Sequence, residues 1–230
     1  MNETILTPIL DVLDIAGIAV FALSGAVIAA RERQTFVTMA FFALVTGVGG
    51  GTVRDLLIGA PVFWVSDGRV AAVCLACALI AWFTPIKLWQ GKAFDMADGV
   101  GLAAYAVLGS AKAIAYGVPP VPAILMGIIT GCVGGIIRDV VAGRPSIIMQ
   151  PELYVTAAAL SAAMTVTGMT FAPQFVPALA GANWPIWIAG FVAGFTLRAA
   201  AIQWEWSLPS YGAKKERGAD ESPPPDTNFD

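Results

Sequence analysis

Charged and turn-forming positions divide the chain into seven long apolar stretches, at about 8–30, 36–58, 68–85, 96–114, 119–142, 152–170 and 184–203. A transmembrane helix needs ~20 mostly apolar residues, so each stretch reads as a span. No charge falls between Arg33 and Arg54, or between Lys112 and Arg138. From Leu153 to Leu197 the chain is again uncharged, too long for one span, and Pro173, Pro177, Gly181 and Pro185 divide it into two. The pattern predicts an all-α membrane protein of seven helices, without strands.

A second pattern lies over the first. A shift of 84 residues, which carries Asp14 onto Asp98, aligns the chain with itself without a gap from Asp14 to Pro61. Asp14, Gly17, Phe21 and Gly25 fall on Asp98, Gly101, Tyr105 and Gly109. Thr46, Gly47, Gly50, Gly51, Arg54, Asp55, Gly59 and Pro61 fall on Thr130, Gly131, Gly134, Gly135, Arg138, Asp139, Gly143 and Pro145. Each repeat holds three spans, so the second enters the membrane from the opposite side. The halves are therefore expected to be inverted, about a pseudo-two-fold axis in the membrane plane, an architecture that commonly serves transport. Repeat one covers about 8–85 and repeat two about 92–170. Helix seven, about 184–203, stands outside the repeat and is expected at the periphery. Residues 1–206 thus form one transmembrane domain, followed by a tail.

Composition agrees. Of 230 residues, 57% are apolar and 13% charged, and mean hydropathy is +0.75. Soluble chains carry about 25% charge, so this surface is built for lipid. The tail from 207 to 230 is rich in Pro, Asp, Glu, Lys and Ser, and is expected to be disordered. Net charge is −3 and histidine is absent, so nothing advertises nucleic-acid binding or histidine chemistry. The three cysteines, Cys74, Cys77 and Cys132, lie in apolar runs and read as packing residues. No phosphate loop, nucleophile elbow or metal-ligand cluster is recognisable, so neither an enzyme nor a cofactor or bound metal is expected.

The positive-inside rule sets the orientation. With the N-terminus outside, the inner connections hold Arg31, Arg33, Lys87, Lys92 and Arg144, and the tail adds Lys214, Lys215 and Arg217. The outer connections hold only Arg69. All seven tryptophans fall at or near span ends, where an aromatic belt belongs.

The candidate chemistry sits in helices two and five. Gly49, Gly50 and Gly51 precede Arg54 and Asp55, and Gly134 and Gly135 precede Arg138 and Asp139. Consecutive glycines weaken a helix. A broken membrane helix persists only where its freed carbonyls are buried or wet, and such carbonyls ligate alkali cations. The alternative is close packing, since Gly47, Gly51, Asp55 and Gly59 recur every four residues, as do Gly131, Gly135, Asp139 and Gly143. Buried ionisable groups favour function over helix capping at the interface. Phe21 and Tyr105 are either a constriction or ordinary packing. Lys112 is either a snorkelling lysine or a mobile gate. Depth suggests two ion pairs, Asp14 with Arg54 in the outer half and Asp98 with Arg138 in the inner half; sequence neighbours are poor partners on a helix.

The doubled element Gly50-Gly51-Thr-Val-Arg54-Asp55 and Gly134-Gly135-Ile-Ile-Arg138-Asp139 resembles the prokaryotic branch of the trimeric intracellular cation channel family, over residues 8–203. The resemblance implies a homotrimer with one pore per protomer, lined by helices two and five bent at their glycines. It implies passage of monovalent cations, chiefly potassium, through a multi-pass protein of a bacterial-type inner membrane, in contact with lipid. Val133 stands where Gly49 would recur, so the second bend is expected to be milder. A secondary transporter of a small solute such as an amino acid fits inverted repeats equally well.

Overall fold

The computed structural model describes residues 3–89, 91–175 and 183–209. The expected division at Pro177 and Gly181, and the tail beyond 209, lie outside the described residues. Among the described residues seven α-helices follow in order: α1 Glu3–Arg31, α2 Phe36–Leu57, α3 Gly68–Phe83, α4 Lys92–Ala115, α5 Pro120–Val141, α6 Tyr154–Phe175 and α7 Trp184–Trp204. Five of them are long and apolar enough to cross a membrane. The other two fall short for visible reasons: α3 has 16 residues, and α4 carries Lys92, Asp95, Asp98 and Lys112.

Local chemistry sets the ends. The Thr35 hydroxyl accepts from Thr38 N and caps α2, and the Asp67 carboxylate accepts from Arg69 N and caps α3. Arg69 also bonds Asp67 outside the membrane-crossing segments and holds its carboxyl below the usual range. Pro120 opens α5, where a missing N–H costs nothing. Gly59 and Gly143, equivalent in the repeat, turn the chain after α2 and α5 with φ of 69° and 66°.

Within each repeat the three helices pack all against all, α1 with α2 and α3, and α4 with α5 and α6. The repeats meet along α2 with α5 and α1 with α4. Three loops and the chain after α7 converge at one end of the bundle. There Arg31 donates to Trp89 O, Arg144 lies 3.3 Å from Glu32, and Lys92 reaches Gln203 O at 3.2 Å. This end carries Arg31, Lys92 and Arg144 and is termed the basic end.

Helix seven follows both repeats in the chain. It packs on α4 and α6 and buries Arg198, 2% exposed. An arginine in a span is driven inward from lipid, so α7 cannot turn only apolar side chains to its neighbours.

Candidate functional site

The interface between the repeats is built from reciprocal pairs. Gly50 of α2 lies against the Thr130 carbonyl of α5, and Gly134 of α5 lies against the Thr46 carbonyl of α2. A Cβ on Gly134 would sit 2.6 Å from that oxygen. In the same way Gly17 makes room for Tyr105, and Gly101 for Phe21, each at 3.3 Å from a would-be Cβ. Phe21 and Tyr105 then stack on each other, centroids 5.2 Å apart and planes 19° apart. Each contact maps onto its partner by the repeat, as an interface around a two-fold axis requires. The axis runs between the two rings and between α2 and α5. Both rings are buried and close the centre of the interface by packing on each other.

The glycines do not break the helices. α2 and α5 run uninterrupted through Gly49, Gly50 and Gly51, and through Gly134 and Gly135. The expected freed carbonyls are therefore absent from these runs. The missing side chains serve close backbone approach, which compensates for poor helix propensity. Gly51 faces Phe63, and Gly135 faces the Tyr154 hydroxyl, both outside the α2–α5 contact.

Two charge clusters flank this seam, one toward each end. At the end opposite the basic loops, Arg54 Nε lies 2.9 Å from Asp55 Oδ1, and Lys112 Nζ reaches the same oxygen at 2.8 Å. The second carboxylate oxygen, Oδ2, accepts from Phe63 N at 3.1 Å. Asp14 stands half-buried on α1 and acts electrostatically on the Tyr105 hydroxyl. At the basic end Arg138 Nε lies 2.9 Å from Asp139 Oδ1, and Asp139 Oδ2 accepts from Ile147 N at 3.0 Å. Arg138 Nη1 also lies 2.8 Å from Asp98 Oδ1, the pair expected from depth. Ser24 of α1 donates to the same Asp98 oxygen at 3.2 Å and accepts from Arg138. The Tyr154 hydroxyl lies against Asp98 without meeting hydrogen-bond geometry.

Two sequence expectations change here. The neighbours Arg54–Asp55 and Arg138–Asp139 do bond. The Cβ atoms of i and i+1 diverge on a helix, but a long arginine stem folds back to a carboxylate in the last turn. Each aspartate thereby neutralises its arginine and pins the loop eight residues on. Lys112 does not stand alone, because Asp55 draws it inward. Its side chain keeps 28% exposure, whereas those of Arg54 and Arg138 keep 4%.

Residues the spacing did not single out complete the site. Ser24 has Leu108 at the matching position of repeat two, and Lys112 has Ile28 in repeat one, so the repeat could not flag either. Tyr154 and Arg198 sit at the ends of apolar runs, where an arginine signals a buried partner only once the packing is known. The clusters differ accordingly. With Asp14 counted, the outer group of Arg54, Lys112, Asp14 and Asp55 balances, while Arg138, Asp98 and Asp139 carry one excess negative charge.

The family model described as "Glycine transporter" matches twice, over residues 11–85 and 95–170, the two repeats. A UPF0126 membrane protein of Vibrio cholerae is 35% identical over 220 residues, 93% of this chain and 88% of the relative. The UPF0126 inner membrane protein YadS of Escherichia coli K12 is 36% identical over 206 residues, 86% and 94% of the two chains. Among solved structures, the TRIC trimeric intracellular cation channel orthologue from Rhodobacter sphaeroides superposes with TM-score 0.75 at 36% identity, covering 85% of this chain and 97% of that one. A prokaryotic TRIC channel crystallised in 0.5 M KCl gives TM-score 0.75 at 25% identity, covering 88% and 100%.

Proposed function

The chain belongs to the family described as glycine transporter, the family of the prokaryotic TRIC channels, and on that premise we propose that it is a cation channel of the bacterial inner membrane. It is a multi-pass membrane protein, and its structural relatives are ion channels rather than enzymes. The finer reading is a potassium-permeable homotrimer with one pore in each protomer, between α1–α2 and α4–α5, acting without a cofactor. Potassium or sodium are the permeant ions, and the N-terminus faces outward with the basic end in the cytoplasm.

The observation that supports a path within the protomer is the pair of buried charge clusters on either side of the glycine seam. Ionisable groups this deep in an apolar bundle are costly, and they serve permeation or gating more readily than stability. In this reading Gly49, Gly50 and Gly134 let α2 and α5 approach at the path, and Gly51 and Gly135 make room beside it for Phe63 and Tyr154. Phe21 and Tyr105 close it at the centre, and motion of this pair opens it. Arg54, Asp55, Lys112 and Asp14 face one mouth, and Arg138, Asp139 and Asp98 the other.

A second reading, a carrier of a small amino acid, is favoured by the family model's own description. Purified protein in planar bilayers separates the two. Discrete unitary potassium currents support the channel. Saturable glycine uptake into vesicles without such currents overturns it.

A further inference from the structure

Arg198 is a buried cation on the one helix that the repeat does not generate. Its Nη1 lies 2.6 Å from Glu152 Oε2, in the loop between α5 and α6. Its guanidinium lies over the Tyr154 ring, Cζ 5.2 Å from the centroid. Its aliphatic stem runs against Gly99 of α4, where a Cβ would sit 3.0 Å from Arg198 Cγ. One side chain of α7 thus touches α4 beside Asp98, the loop, and the first residue of α6.

The same loop is held at its other end by the charge cluster, through Ile147 N and Asp139 Oδ2. Tyr154, where the loop enters α6, is fully buried and presents its hydroxyl to Asp98 and Gly135. Backbone bonds add to the tie. Leu208 N donates to Pro151 O at 2.6 Å, and Ser207 bridges Glu152. A planar guanidinium suits this place because it stacks on a ring and binds a carboxylate together, which an ammonium does not.

We propose that Arg198 is a positioning residue for the cluster at the basic end: α7 clamps Glu152 and Tyr154, and through them fixes Asp98, Asp139 and Arg138. Among the described residues the cluster at the opposite end shows no such clamp, because the helix that follows repeat one opens repeat two. Helix seven then confers an asymmetry that the two repeats alone lack.

The test uses the full-length protein, reconstituted, with two readouts. Amide hydrogen exchange of residues 147–154 reports positioning whatever the protein transports. The ratio of inward to outward current at equal and opposite voltages reports the cluster, and it relies on the channel reading. Arg198→Met is expected to raise exchange about tenfold or more. It is expected to shift the current ratio about twofold or more, with Glu152→Gln shifting it the same way by less. Arg198→Met/Glu152→Leu removes both charges and keeps bulk, so it recovers thermal stability. A positioning role leaves its exchange and current ratio altered, because the ring is still unclamped. Wild-type values in that double variant reduce Arg198 to charge balance and overturn the proposal. So does unchanged exchange in Arg198→Met, or raised exchange with a wild-type current ratio. Should Arg198→Met not assemble, Arg198→Lys, which keeps the charge and loses the stacking, carries the same expectations. A silent wild-type protein overturns the channel reading instead, and exchange alone then decides the clamp.

Discussion

The carbonyl oxygen of Thr130 occupies the space that a side chain on Gly50 would fill. The reciprocal contact, Gly134 on Thr46, makes this a seam of close backbone approach between the two repeats. A methyl group at Gly50 has to push α2 from α5. Gly50→Ala should therefore destabilise by about 1–3 kcal/mol, although alanine favours a helix by about 1 kcal/mol. Gly50→Leu should abolish current. Gly59→Ala is the control: φ is 69° with nothing within 4 Å, so only backbone strain of about 1–2 kcal/mol applies. Thermal unfolding in detergent checks both, and a stabilised Gly50→Ala would deny the close approach.

Asp98 and Arg138 should behave as one buried unit. Removing Arg138 strands both Asp98 and Asp139 and costs ~3–5 kcal/mol, whereas Asp98→Asn leaves Arg138 its partner Asp139 and costs less. Arg138→Met is expected to unfold early and Asp98→Asn less so, and the double variant, with only Asp139 left stranded, to regain part of the loss of Arg138→Met. Additive losses in a double-mutant cycle would show that the two groups are held independently.

Lys112 should be separable from stability. It is partly exposed, and Asp55 keeps Arg54 as partner when the lysine is gone. Lys112→Met is expected to change melting by less than about 1 kcal/mol. It leaves the outer cluster with one excess negative charge, like the inner one. Cation current entering from that side should rise, and most at low salt. An unchanged or reduced current in symmetric low-salt bilayers contradicts this.

The end of the chain divides at Pro209. The polar, proline-rich stretch beyond it has no apolar face to bury, so truncation after Pro209 should preserve assembly. Truncation after Glu205 removes the Ser207–Glu152 bridge and the Leu208–Pro151 bond. It should loosen the loop at 147–153 to protease while the bundle stays folded. Equal protease resistance of the two truncations would show that these contacts hold nothing.

Particular residues show where the sequence spoke clearly. The seven helices agree with the apolar stretches to within a few residues, because lipid solvation acts on each stretch by itself. The shift also singled out Phe21 and Tyr105, which stack on each other because positions lying on the axis between two copies meet their own equivalents. The repeat was silent on Ser24, Lys112 and Arg198, where the copies differ or a helix stands outside them.

What the sequence by itself determined is what local chemistry and duplication impose: the spans, the inverted halves, and the place of Arg54, Asp55, Arg138 and Asp139 near the ends of helices two and five. Depth along the helices already paired Asp98 with Arg138; the other groups those charges reach were decided only by tertiary structure. Asp55 takes Lys112 from α4 because α4 passes beside the end of α2. Asp98 holds Arg138 together with Ser24 because α1 crosses there. The glycines were ambiguous for the same reason. A residue without a side chain permits either a break or a close approach, and the carbonyls of Thr46 and Thr130, brought in by the opposing helix, select the approach.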